Sequence, residues 1–172
     1  FIPFLEILKN NCHQEELSIY EDYRLSKNTN LERFLYPINE HTNFMFNKFL
    51  RKATKNKNKE TKVLKIKGRS LLLKNFYQKV IKFSFDELCN RNLGSEDYIS
   101  IAENSDFIFI ENLPNFNETN SNQQLRFITL IDIFYEKKIK LTLSLKESLE
   151  NLGSSKKHFT IFKRTVSRIY EM

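Results

Sequence analysis

The stretch Phe107-Ile108-Phe109-Ile110 constrains the fold more than any other in the sequence. Four consecutive apolar residues without polar alternation describe a strand buried on both faces, as in a parallel sheet with helices on either side. Downstream, Ser121-x-x-Gln124 reads as a capping box. It opens a helix through Tyr135 that is apolar almost all round, with Leu125, Phe127, Ile128, Leu130, Ile131 and Phe134. Ile139 to Leu145 is a second β-prone run. The order strand, helix, strand predicts a parallel pair joined by a right-handed crossover.

The segments before this unit are less regular. Residues 1–12 have helical spacing through Phe4, Leu5, Ile7 and Leu8, and Glu16 to Tyr20 alternate as a strand does. Residues 40–53 predict a helix with Phe44, Met45, Phe49 and Leu50 on one side. Lys55-Asn56-Lys57-Asn58-Lys59-Glu60-Thr61 contains no apolar residue and predicts a solvated loop and a domain boundary. Val63–Lys67 and Ser70–Lys74 then form a hairpin around Gly68-Arg69, where a glycine in the first central position suits a type II′ turn. Val80 to Phe85 adds a third alternating run. Ser95 is placed to cap a helix whose first turn holds Glu96 and Asp97, acids that complement its dipole. Arg164 to Met172 predicts a short amphipathic helix. Val166, Ile169 and Tyr170 share its apolar face, and Arg164, Ser167, Arg168 and Glu171 share the polar one.

Composition excludes several classes. At 40% hydrophobic and 13% aromatic the 172 residues can build a packed core. No uncharged apolar run approaches the ~20 residues that span a bilayer. Phe1-Ile2-Pro3-Phe4-Leu5 reads as the interior of a longer protein, without the basic region, apolar run and small-residue site of a signal peptide. Cys12 and Cys89 stand far apart and predict reduced thiols. His13, His41 and His158 are scattered, lack ligands at metal spacing, and read as surface or cap residues. No nucleophile elbow, Cys–His pair or paired-carboxylate motif is present, and a hydroxyl without a positioned base is not a catalyst.

Several stretches fall into one ordered series: Phe1-Ile2-Pro3-Phe4, Asp22-Tyr23-Arg24-Leu25, Phe85-Asp86-Glu87-Leu88-Cys89, Leu93-Gly94 with Asp97-Tyr98, and Asn112-Leu113-Pro114. Arg126-Phe127-Ile128-Thr129-Leu130-Ile131-Asp132 and the terminal Arg164-Thr165-Val166-Ser167-Arg168-Ile169-Tyr170-Glu171-Met172 complete it. The series resembles the C-terminal half of the ZapE, or lactation-elevated, family of AAA+-like P-loop ATPases. The resemblance implies ATP hydrolysis with ATP and Mg²⁺ as cofactors, and a homo-oligomer of neighbouring subunits. It also implies a cytoplasmic setting, in bacteria peripheral to the inner membrane and close to cell division proteins. The bacterial setting is preferred over the mitochondrial one. The sequence departs from the family in one respect: it contains no G-x-x-x-x-G-K-[ST], the loop whose backbone amides and lysine hold nucleotide phosphates. The chain alone is therefore expected not to hydrolyse ATP.

Within this frame four arginines are candidate nucleotide-sensing or interface residues. Arg164 and Arg168 lie one helical turn apart and can clamp a phosphate with two guanidiniums; otherwise Arg168 pairs with Glu171 on a surface helix. Arg126 and Asp132 interrupt an apolar helix and call for partners, since buried charges are costly alone. Arg24 follows the strand that closes the family's ATPase core. Glu111, after the apolar run, has the position of a Walker B acid but lacks the Asp-Glu pair, and reads as a strand end. No catalytic residue and no metal ligand is assigned.

These readings combine into a mixed α/β chain. Residues 1–53 form the end of an ATPase core with a helical appendage, 54–61 a basic linker, and 62–172 a small α/β domain with a β-hairpin and a βαβ unit. Acting as the C-terminal part of an ATP hydrolase, the chain would couple hydrolysis to action on a protein client. The alternative is a non-catalytic binding module, in which the basic segment 48–74 docks on anionic membrane or, less favoured, nucleic acid through counterion release.

Overall fold

A computed structural model of the chain describes residues 33–172 together with Phe4, Glu6, Ile7 and Asn11. Those four residues are helical, and Asn11 Nδ2 donates to the Ile7 carbonyl at 2.9 Å. The rest of the predicted 1–12 helix, the predicted strand 16–20, Cys12, His13 and Arg24 lie outside the described residues.

Six strands form one mixed sheet. In chain order the elements are β1 (Phe34–Leu35), α1 (Glu40–Ala53), β2 (Glu60–Ile66), β3 (Arg69–Tyr77), β4 (Val80–Ser84), α2 (Phe85–Cys89), α3 (Ser95–Glu103), β5 (Phe107–Leu113), α4 (Ser121–Glu136), β6 (Lys140–Leu145) and α5 (Phe159–Glu171). The strand order is β1-β6-β5-β4-β3-β2. The β1–β6, β6–β5 and β5–β4 pairs are parallel, and β2-β3-β4 is an antiparallel meander. The parallel pair predicted around the helix 121–135 is β5 and β6, and the mixed α/β class holds.

The two faces of the sheet are unequal. On one face Leu73, Ile81, Phe83, Ile108, Ile110, Leu141 and Leu143 bury against Leu88, Ile101, Phe127, Ile131, Phe134 and Ile169 from the helices after β4. The other face carries a smaller cluster in which Phe46 and Leu50 of α1 meet Val80 and Phe109. Phe109 lies on the opposite face from Ile108 and Ile110, which explains why the run 107–110 has no polar alternation. Residues 34–53, on the near side of the basic segment, thus belong to the same sheet and layers as the residues after it.

Local chemistry moves several elements from where the sequence placed them. The hairpin turn is Lys67-Gly68, because Ile66 pairs directly with Arg69. Both turn residues have positive φ, 45° and 83°, which makes the turn type I′ rather than II′. Gln78 and Lys79, at 43° and 72°, repeat the same turn between β3 and β4. In α1 the buried residues are Thr42, Phe46 and Leu50, while Phe44 faces solvent. Asn39 caps α1 through a reciprocal box with Thr42.

Gly94, not Ser95, is the N-cap of α3; the Asp97 carboxylate reaches back to its amide at 2.8 Å. Asn120 is the N-cap of α4, without a side-chain cap bond, so Ser121-x-x-Gln124 is not a capping box. Gln124 points inward instead. Its amide donates to Ser154 Oγ at 2.6 Å, and its oxygen accepts from Ser155 N and Oγ, which ties the loop before α5 to α4. Glu111 is not a strand end, since β5 continues to Leu113. The last helix begins at Phe159 rather than Arg164, with buried His158 as its N-cap residue.

Candidate functional site

The described candidate residues concentrate where α4 and α5 pack together. The α5 sequence explains the packing: Phe162, Thr165 and Ile169 recur at helical spacing and are buried, drawing one face of α5 onto the core. That rotation carries Ser167 and Arg168 inward as well, so the polar face predicted for Arg164, Ser167, Arg168 and Glu171 is only partly a solvent face. Ser167 is buried, and the Arg168 side chain is 14% exposed.

Arg168 is held from several directions. Its Nη1 donates to Asp132 Oδ1 at 2.5 Å, and its Nη2 lies 3.8 Å from Glu136 Oε1. The guanidinium also sits over the Tyr135 ring, 4.8 Å from the centroid. Tyr135 and Glu171 join the same interface through a hydrogen bond from the phenol to the carboxylate. Asp132, one of the charges interrupting the apolar helix, thereby finds its partner on α5.

Arg164 is in a different situation. It lies 3.9 Å from Asp132 Oδ2, and its side chain is 61% exposed. A cleft of about 380 Å³ opens here, lined by Ile99, Asp132, Ile133, Glu136, Lys137, Arg164 and Arg168. Lys137 pairs with Glu103 at its edge, at 3.5 Å. Arg164 and Arg168 thus share the cleft wall, but Arg168 is committed to carboxylates and Arg164 keeps its guanidinium toward solvent. A surface-facing arginine beside a balanced ion cluster can reach an anion on another molecule; a fully paired one is a structural tie.

Arg126 is not part of this cluster. Its Nη1 donates to the Cys89 carbonyl at 3.0 Å, tying α4 to the C-terminal end of α2. The neighbouring Cys89 is a buried free thiol, and burial pushes its pKa far up, as it does for the Tyr98 phenol. Tyr98 donates to the Leu88 carbonyl at 2.9 Å. Both groups are therefore neutral packing elements. Glu111 forms an ion pair with Lys82 at 2.7 Å, on the α1 face of the sheet.

The fit to ATP and Mg²⁺ is negative for the described residues. No group of three or more His, Cys, Asp or Glu among them could hold a metal ion, and the sequence has no phosphate-binding glycine loop. No step of hydrolysis is assigned to these side chains.

Sequence reasoning missed Tyr135 and Glu136 as partners of Arg168. The available signal was their spacing: Asp132 and Glu136 are four apart, as are Arg164 and Arg168, so two facing helices can interlock the pairs.

A family model described as AFG1-like ATPase matches residues 1–172. The chain is 30% identical over 157 residues to "Lactation elevated protein 1 homolog B" of Danio rerio, covering 88% of this chain and 31% of that protein. It is 26% identical over 172 residues to "Cell division protein ZapE" of Escherichia coli K12, covering all of this chain and 46% of that protein. It is 27% identical over 154 residues to an uncharacterized protein of Schizosaccharomyces pombe, covering 88% of this chain and 34% of that protein. The chain thus spans less than half the length of these relatives. No solved structure matches it. With the model matched from the first residue to the last, and with the α4 and α5 segments that carried the resemblance packed on each other, the chain belongs to the AFG1-like ATPase family.

Proposed function

We propose that the chain is the C-terminal part of an ATP hydrolase similar to the cell division protein ZapE, coupling hydrolysis to action on a protein client. The observation that carries this reading is the family match across residues 1–172. Nucleotide phosphates and Mg²⁺ are held by residues outside those described, and the unit described here supports that site from its edge. It acts in the cytoplasm, within a homo-oligomer. In this reading Arg164 contacts a nucleotide or a neighbouring subunit, a role supported by its exposed guanidinium while Arg168 is engaged. An arginine donated from the next subunit stabilises transferring phosphoryl charge in related machines.

The test is ATP turnover by the whole protein carrying Arg164→Ala. The proposal expects kcat to fall by about a thousandfold or more with the fold intact, the size of known arginine contributions to phosphoryl transfer. Turnover equal to the unaltered protein would remove Arg164 from the mechanism and leave the cluster as a helix–helix tie.

A further inference from the structure

The positive charge of this molecule is concentrated in one segment of the sequence. Residues 40–74 hold eleven Lys and Arg against Glu40 and Glu60, a formal +9, which exceeds the +7 of the whole chain. These residues are α1 and the β2–β3 hairpin, and α1 lies on the face of the sheet opposite the larger helical layer. Only Lys67 and Arg69 of this set pair with carboxylates among the described residues, with Glu96 and Asp97 of α3.

The outward side of α1 presents Phe44, Lys48 and Arg51, spaced four and three residues apart and all exposed, and exposed Lys55 follows in the turn after the helix. That spacing lines one side of a helix. Phe44 is the exposed ring of the stripe, with the Arg51 guanidinium 5.9 Å from its centroid. On the hairpin, Val63 and Leu72 pair directly across the strands, 52% and 46% exposed, on the face away from the larger core. The α1 side of the sheet thus combines unpaired cations with protruding apolar groups.

Lysines on an edge hairpin also discourage strand pairing, and that ordinary reading covers Lys62 and Lys65. It does not explain a cationic, aromatic stripe on a helix. Single-stranded nucleic acid binders add successive aromatic platforms for bases. Along α1 the outward ring is Phe44, and an arginine lies against it. Cations around exposed apolar side chains suit a lipid surface, where lysines meet anionic headgroups and the apolar groups enter the headgroup boundary.

We propose that the α1 face is a docking surface for an anionic bilayer, with Lys48, Arg51 and Lys55 contacting headgroups and Phe44, Val63 and Leu72 entering the interface. The test is co-sedimentation of the whole protein with phosphatidylcholine vesicles, with and without phosphatidylglycerol, as potassium chloride is raised. Binding is expected only with phosphatidylglycerol, weakening steeply with salt. Lys48→Gln/Arg51→Gln/Lys55→Gln lowers it by about a hundredfold, three surface cations each contributing about fivefold. Phe44→Ser lowers it several-fold, and the control Lys156→Gln/Lys157→Gln/Lys163→Gln on the helical side leaves it unchanged. All six substituted cations are exposed, so circular dichroism should report intact folds. Absence of binding to phosphatidylglycerol vesicles at low salt overturns the proposal. So does equal loss in the control variant, or displacement of the protein from vesicles by single-stranded DNA.

Discussion

Replacing Arg168, Arg164 and Asp132 with alanine, singly and in pairs, measures how unequal the two arginines are. Arg168 donates to Asp132 at 2.5 Å from a side chain that is largely buried. A hydrogen bond between charged groups contributes about 1.5–3 kcal/mol, and the partial exposure of Asp132 places this one near the lower end, about 1.5–2 kcal/mol. Arg164 stands 3.9 Å from the other carboxylate oxygen and is mostly solvated. Exposed pairs of that kind contribute about 0.5 kcal/mol or less. Arg168→Ala also removes the guanidinium from the Tyr135 ring, a further loss of about 0.5–1 kcal/mol. The single variant should therefore lose about 2–3 kcal/mol, or about 4–12 °C in Tm for a domain of this size. Arg164→Ala should shift Tm by no more than about 2 °C. Denaturant unfolding of the four members of each cycle gives the coupling energies directly. Equal coupling of Asp132 to both arginines, or an Arg168–Asp132 coupling below about 0.5 kcal/mol, would refute the assignment of Arg168 as the tie and Arg164 as the free contact.

Three further outcomes follow from the packing. Gln124→Ala leaves the buried Ser155 amide and hydroxyl without their acceptor, so it should cost about 2–4 kcal/mol in denaturant unfolding, whereas Leu125→Ala on the exposed side should cost far less. Gly153→Ala places a Cβ 2.7 Å from the Phe116 carbonyl oxygen, and the required shift should cost about 1–3 kcal/mol by the same measurement. Burial raises the Cys89 and Tyr98 pKa values above their ordinary 9.0 and 10.0. Both groups hold their protons more tightly when folded, so their contribution is complete below pH 9 and declines as pH rises further. Stability should therefore fall in the alkaline range, and Cys89→Ala should reduce the steepness of that fall.

The parallel unit was legible in the sequence because its signals are strong and local. A strand buried on both faces must be continuously apolar, and a helix between two such strands must cross over, so Phe107–Ile110 and the α4 sequence predicted their pairing. Errors arose where one signal admits two readings. Gly68 fits either central position of a tight turn, and only the Ile66–Arg69 pairing decides between them. Ser121 and Gln124 match a capping pattern by spacing, but the Ser154 hydroxyl and the Ser155 amide and hydroxyl, about thirty residues away in sequence, claim the glutamine. The α1 face was misassigned because Phe44, Met45, Phe46, Phe49 and Leu50 leave several faces apolar, and contact with Val80 and Phe109 selects Phe46 and Leu50. At the candidate site, the residue types of the arginine pair were readable. Their inequality was not, since it depends on how far α5 rolls toward α4, and that is set by the burial of Phe162, Thr165 and Ile169.

We propose that these 172 residues complete an ATP hydrolase whose phosphate-binding elements lie elsewhere in the protein. Steady-state ATP hydrolysis by the whole protein, measured beside the 172-residue chain at equal concentration, tests it most directly. Turnover is expected in the whole protein and none in the chain alone. Turnover by the chain alone, or none by the whole protein with ATP and Mg²⁺ supplied, would contradict it.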